Sequence, residues 1–195
     1  MHSYSDISFR NQEKAYKIIE KTGVIDAWKS IGAEINLVGS LKMGLLVTRK
    51  DIDFHIYTPS IVISDSFRAM AKLAEDNDFV RVEYINAIDT EEKCIEWHAW
   101  YRDDENELWQ LDMIHILAGS KYDGYFERMA QRINEVITSE QRNIILKLKY
   151  ETPESEKIIG VEYYKAVIKD GVKTFQEFRE WRKDNPSNGI IEWIP

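Results

Sequence analysis

The sequence predicts an α+β fold, with strands in the middle of the chain and helices before, between and after them. Three observations carry this reading. Between residues 34 and 117, five short segments alternate apolar and polar residues or are rich in branched and aromatic ones, and polar turns separate them. Residues 7–31 and 64–76 repeat apolar positions at helical spacing. From Tyr122 onward the strand patterns give way to helical ones, introduced by capping signatures such as Thr138-x-x-Gln141 and Thr174-x-x-Glu177. The shift near Gly119-Ser120 is the best boundary, giving one expected domain over 1–118 and a helical subdomain over 119–195.

In the N-terminal helical stretch Tyr16, Ile18, Ile19, Val24, Trp28 and Ile31 keep a loose stripe, and Gly23 breaks it, predicting one broken helix or two short ones. Glu34–Val38 alternates and forms the first strand, which runs straight into Gly39-Ser40 and a short helical turn. Asp51–Tyr57 is the second strand, stopped by Thr58-Pro59. A helix over 64–76, capped by Ser64, follows. Phe79–Ile88, Lys93–Tyr101 and Leu108–Leu117 are three further strands, the last two forming a hairpin across Asp103-Asp104-Glu105-Asn106. Helices are then expected over Tyr122–Ile137, from Thr138 to about Tyr150, from Thr152-Pro153 to about Lys169, and from Thr174 with Phe175, Phe178 and Trp181 on one stripe. Residues 185–195 are expected to be irregular and docked on the body.

Composition narrows the function. With 195 residues, 44% of them hydrophobic and 31% charged, the chain can bury a sizeable core and is not a disordered acidic tail. No apolar run reaches membrane-span length and the first residues lack a signal-peptide pattern, so the expected location is the cytoplasm and no membrane partner is expected. The lone Cys94 has no disulfide or metal partner by motif and reads as inert core. A formal net charge of −8 argues against a large sequence-independent grip on nucleic acid, so no extended nucleic-acid partner is expected. A small phosphate-bearing substrate carried with Mg²⁺ is compatible with that charge.

The stretch from Val38 to Phe54 carries the chemistry. Period two puts Asp51, Asp53 and His55 on one strand face, with Ile52, Phe54 and Ile56 on the other. Carboxylates at alternate positions can share a divalent metal. Gly39 permits a close turn, Ser40 offers a hydroxyl and an N–H to phosphate oxygens, and Lys42 and Arg49 add positive charge beside them. Asp112 lies on a later strand between apolar neighbours, where a charge needs a partner or a metal. If the strands are neighbours, Asp51, Asp53 and Asp112 form a metal-binding trio of the kind that supports phosphoryl transfer.

Gly39-Ser40, Gly44 four residues after the serine, and Asp51-x-Asp53 beginning eleven residues after it together resemble the signature of the polymerase-β-like nucleotidyltransferase superfamily. The resemblance covers residues 30 to 117. It implies a mixed sheet with flanking helices, Mg²⁺ (two ions expected), an NTP donor with ATP expected, and transfer of a nucleotidyl group to a hydroxyl or phosphate; the acceptor expected here is the hydroxyl of a small molecule. The family's third carboxylate matches Asp112. Lys42 departs from the family's usual small residue, and Lys50 from the Ser that often precedes the first Asp. One rival reading is a non-catalytic binding module of the same fold, an antitoxin-like partner or a nucleotide sensor; a second is an acceptor that is RNA or protein, which the acidic balance disfavours for long RNA.

Around this trio, Glu96 is a candidate general base toward the acceptor beside Asp112, and His98, on the same face as Glu96 and Trp100, is a candidate for the acceptor-pocket lining. His55 and His115 read as structural, the latter on the face opposite Asp112. A base-stacking platform of Trp97, Trp100 and Tyr101 is set aside because period two divides them between faces. Lys147 and Lys149 read as a solvated helix face.

Overall fold

The computed structural model describes residues 3–187 and 189–195. Helix α1 (Tyr4–Thr22) opens with a reciprocal cap between Ser3 and Asp6 and ends at Gly23, whose φ of +61° turns the chain into α2 (Val24–Lys29). The sheet is built from β1 (Glu34–Leu37), β2 (Asp51–Thr58), β3 (Phe79–Ala87), β4 (Cys94–Arg102) and β5 (Leu108–Leu117), in the spatial order β1-β2-β5-β4-β3. β2 and β5 run parallel and every other pair antiparallel, so the sheet is mixed. The short α3 (Gly39–Lys42) follows β1, and α4 (Ile63–Ala74) follows β2.

One face of the sheet is apolar for the reason the alternation implies. Ile52, Phe54 and Ile56 of β2, Leu111 and Met113 of β5, and Trp97, Ala99 and Tyr101 of β4 pack against Trp28 and the inner faces of α1 and α4. The other face carries the polar residues, and the helical half of the chain covers part of it. That half comprises α5 (Tyr125–Val136), α6 (Ser139–Glu151), α7 (Gly160–Tyr164) running on as a π-helical turn over Lys165–Lys169, and α8 (Phe175–Asp184). These helices share a second core with Met43, Leu45 and Val47 from the loop before β2.

Both expected capping boxes form, Thr138 with Gln141 and Thr174 with Glu177. Several element boundaries differ from expectation, among them the start of α5 at Tyr125 and not Tyr122. Val62, not Ser64, precedes α4, so Ser64 lies in the helix's first turn. Thr152-Pro153 closes a helix instead of opening one. The Thr152 hydroxyl donates to the Leu148 carbonyl at 2.8 Å, residues 153–159 form an irregular loop, and the next helix waits until Gly160. A threonine that caps one helix end and a proline that forbids continuation read alike at either terminus.

Candidate active site

The site is assembled by the register between β2 and β5. Asp53 stands directly opposite Asp112 and Asp51 opposite Gln110, so all three aspartates share the polar face of two neighbouring strands. They feel one another: Asp51 and Asp112 both push the Asp53 pKa up, on top of a larger effect from burial. Asp51 is raised likewise, by burial first and, among like charges, by Asp112. Its Oδ1 is a buried oxygen with no hydrogen-bond partner among the described residues. An orphaned carboxylate oxygen beside two further carboxylates is the environment a divalent cation satisfies, and hard oxygen donors suit Mg²⁺.

The turn between β1 and β2 presses on this cluster. The Val38 N–H bonds the Asp53 carbonyl at 2.9 Å, which brings Gly39 against the Asp53 side chain. Gly39 has φ +67°, and a Cβ there would lie 1.8 Å from Asp53 Oδ2. The Ser40 N–H lies on the side of the Asp53 carboxylate and favours its ionised form, against the larger effect of burial. Gly39 and Ser40 therefore sit against the Asp53 side chain.

Asp112 is drawn the other way. Its Oδ1 accepts from Gln110 Nε2 at 2.7 Å and from His98 Nδ1 at 2.5 Å, and His98 Nε2 faces Glu96 Oε2 at 3.3 Å. Bonded to Asp112 first and to Glu96 second, the imidazole is pushed up to about 10 and stays an imidazolium. Aspartates 51, 53 and 112 consequently share a face without closing to within 4.8 Å of one another; among the described residues only Glu92, Cys94 and Glu96 meet that spacing. The Cys94 thiol is pushed up to about 12 by burial and the flanking glutamates, so it is a neutral core group, as expected of it. Glu96 sits one step beyond His98 and reaches Asp112 only through it.

A cleft of about 450 Å³ opens beside Asp51 and Asp53, between the sheet and the helical half. Gly39, Ser40, Thr48 and Arg49 line one wall; Lys149, Tyr163 and Tyr164 line the other. Arg49 donates to the Glu156 carbonyl at 2.9 Å, tying the loop after α6 across the mouth. Lys42 is exposed, is absent from the lining, and offers its carbonyl to Asn134.

Lys149 is the residue that sequence reasoning missed. Far from being solvated, its ammonium is enclosed in the cleft wall, where it donates to the Leu45 carbonyl at 2.9 Å and to the Tyr164 hydroxyl at 3.5 Å. Enclosure brings its pKa down to about 8, against the attraction of Asp51 and Asp53. Seven residues earlier on the same helix face, Arg142 donates to the Met43 and Gly44 carbonyls at 2.6 and 3.1 Å. The two cations hold the loop between the glycine turn and β2.

The histidines divide as their faces dictate. His55 packs edge-on against Phe126 at 5.1 Å, beneath a Tyr57–Glu127 hydrogen bond of 2.8 Å that ties α5 to the sheet. His115 is buried on the apolar side, edge-on to Trp28.

No protein-family model and no curated protein matches the sequence. Solved structures do match the fold. The chain aligns with the RNA terminal uridylyl transferase Cid1 at 14% identity and a TM-score of 0.57, over 81% of this chain and 46% of that one. MgGTP-bound Cid1 poly(U) polymerase aligns at 13% identity and 0.58, over 81% and 49%. Poly(A) polymerase GLD-2 in its complex with GLD-3 aligns at 10% identity and 0.57, over 98% and 67%. The chain thus spans about half the length of the Cid1 structures it matches.

These likenesses correct one expectation. The formal charge of −8 argues against extended nucleic acid and leaves a small-molecule acceptor as the expectation, yet the structures that share this fold include an RNA terminal uridylyl transferase. Net charge sums the whole surface, whereas a strand end at a catalytic cleft meets only its local groups. Among the described residues no helix is long and apolar enough to cross a membrane. At these identities the likeness establishes architecture, and the architecture is that of a nucleotidyltransferase-type mixed sheet flanked by helices.

Proposed function

We propose that this chain transfers a nucleoside monophosphate from an NTP to the terminal hydroxyl of an RNA strand, with Mg²⁺ held by Asp51, Asp53 and Asp112. The observation that carries the reading is the orphaned, mutually repelling carboxylate cluster under a glycine turn, beside a cleft that holds an enclosed lysine. Bound Mg²⁺ would supply charge neutralisation at the phosphates and a lowered pKa for the attacking hydroxyl.

The chain's own groups do the rest. Gly39 lets the backbone approach phosphate oxygens, and Ser40 presents its N–H and hydroxyl beside them. Arg49, on the wall with Gly39 and Ser40, and Lys149, on the wall facing it, bring positive charge to the same cleft and offset that of a triphosphate. Asp112, held by Gln110 and His98, stands at the far edge of the cluster from the cleft, where an incoming hydroxyl can approach opposite the leaving pyrophosphate. The fold likeness to an RNA terminal uridylyl transferase and a poly(A) polymerase supports RNA as the acceptor.

The test is extension of a 5′-labelled single-stranded RNA with each of the four NTPs and Mg²⁺, followed by pyrophosphate release. Extension is expected with at least one NTP. Asp51→Asn and Asp53→Asn should each lower it at least about a hundredfold while the variants stay folded. Nucleotide binding without pyrophosphate release would overturn the enzyme reading in favour of a binding module.

A further inference from the structure

The polar face of the sheet continues past the carboxylates, away from the cleft. His98 stands opposite Asp112, Trp100 opposite Gln110, and Arg81 opposite Trp100, so one rung leads from Asp51 through Gln110 to the indole and the guanidinium. Trp28, Trp97 and Trp109 are buried on the apolar side; Trp100 is half-buried on this one. The guanidinium carbon of Arg81 lies 4.4 Å from the Trp100 ring centroid, and an ion pair with Glu83 pins it there. Its side chain is 61% exposed, so the outer side of the guanidinium faces solvent.

A guanidinium laid on an indole and open on its far side is a flat, polarisable surface of the kind that nucleobases stack on. Its place fits an acceptor. The donor cleft lies on the other side of the carboxylates and includes neither Asp112 nor Trp100 in its lining. Trp100 follows His98 by two residues on one strand, about 7 Å, roughly the reach of one nucleotide. We propose that Arg81 and Trp100 form the platform on which a base at the 3′ end of the acceptor strand stacks, placing its hydroxyl at Asp112. The inference rests on the RNA-extension reading above and adds to it the surface that selects the acceptor.

The experiment measures KM for a short single-stranded RNA and for the NTP separately, in wild type, Trp100→Ala, Trp100→Phe and Arg81→Ala. Loss of one base–aromatic stack is expected to raise the RNA KM roughly tenfold to a hundredfold in Trp100→Ala, with the NTP KM within about twofold of wild type. Trp100→Phe should recover most of the loss. Arg81→Ala, an exposed truncation that leaves the core intact, should raise the RNA KM in the same direction and serves if Trp100→Ala folds poorly. An unchanged RNA KM in Arg81→Ala and Trp100→Ala, or equal rises in both KM values, would overturn the platform while leaving RNA extension by wild type intact. Failure of wild type to extend RNA with any NTP would remove the parent reading and the platform with it.

Discussion

Gly39→Ala separates backbone strain from site collision, because the chain carries its own control. Gly23 and Gly39 have nearly the same φ, +61° and +67°, but a Cβ at Gly23 meets nothing within 4 Å, whereas at Gly39 it meets Asp53 Oδ2 at 1.8 Å. Placing an L-residue in that region costs about 1–2 kcal/mol at either position. At Gly39 the Asp53 side chain must also swing away from the Ser40 N–H. Leaving a buried polar group without its partner adds about 1–3 kcal/mol. Urea unfolding should therefore show Gly23→Ala destabilised by about 1–2 kcal/mol and Gly39→Ala by about 2–5 kcal/mol. Asp53→Ala removes two of the three nearest atoms, so in the double variant the two losses should fall short of additivity by at least about 1 kcal/mol. Calorimetry with Mg²⁺ and NTP should show binding retained in Gly23→Ala and lost in Gly39→Ala. Equal destabilisation of the two glycine variants, with binding intact in both, would refute the close approach of turn and carboxylate.

Two further expectations concern single side chains. Lys149→Met keeps the aliphatic stem but removes the ammonium from the cleft, and NTP affinity should fall roughly tenfold to a hundredfold by calorimetry; unchanged affinity would take Lys149 out of the donor site. Burial brings the His115 imidazole down to about 4, so between pH 6.5 and 4 the unfolded chain takes up a proton that the folded chain refuses. Stability should fall by about 3 kcal/mol as the pH drops through that window. His115→Gln should lack that component of the acid limb in denaturant titrations, and identical acid limbs in the two proteins would contradict it.

The strands were legible because half-buried strands must alternate, and the bounds of β3, β4 and β5 fall within a residue of their sequence expectation. The face assignment of Asp51, Asp53 and Asp112 followed from the same period. Their adjacency did not, since it depends on parallel pairing between segments far apart in the chain, which local pattern does not encode. Nor could alternation reveal that Asp112 pairs with His98 on the next strand. Lys149 escaped because a lysine on an amphipathic helix is ordinarily solvated; the available signal was that Arg142, the buried Ile145 and Lys149 lie on one stripe. Trp100 was set aside for lacking aromatic partners on its face. The partner it has is a cation from the next strand, which aromatic counting does not find.

The grip of Arg142 and Lys149 on residues 43–45 bears on how the chain can be divided. The composition shift near residue 118 suggests a cut that would free the sheet from its helices, yet α6 holds three carbonyls of the very loop that leads into Asp51. Severing there would strip Met43, Leu45 and Val47 of their packing and release the carboxylate strand from the side that fixes its start. The helical half is thus scaffolding for the strand that carries Asp51 and Asp53. Any shortened chain has to retain α6, and any drift of that helix is felt first at the start of β2.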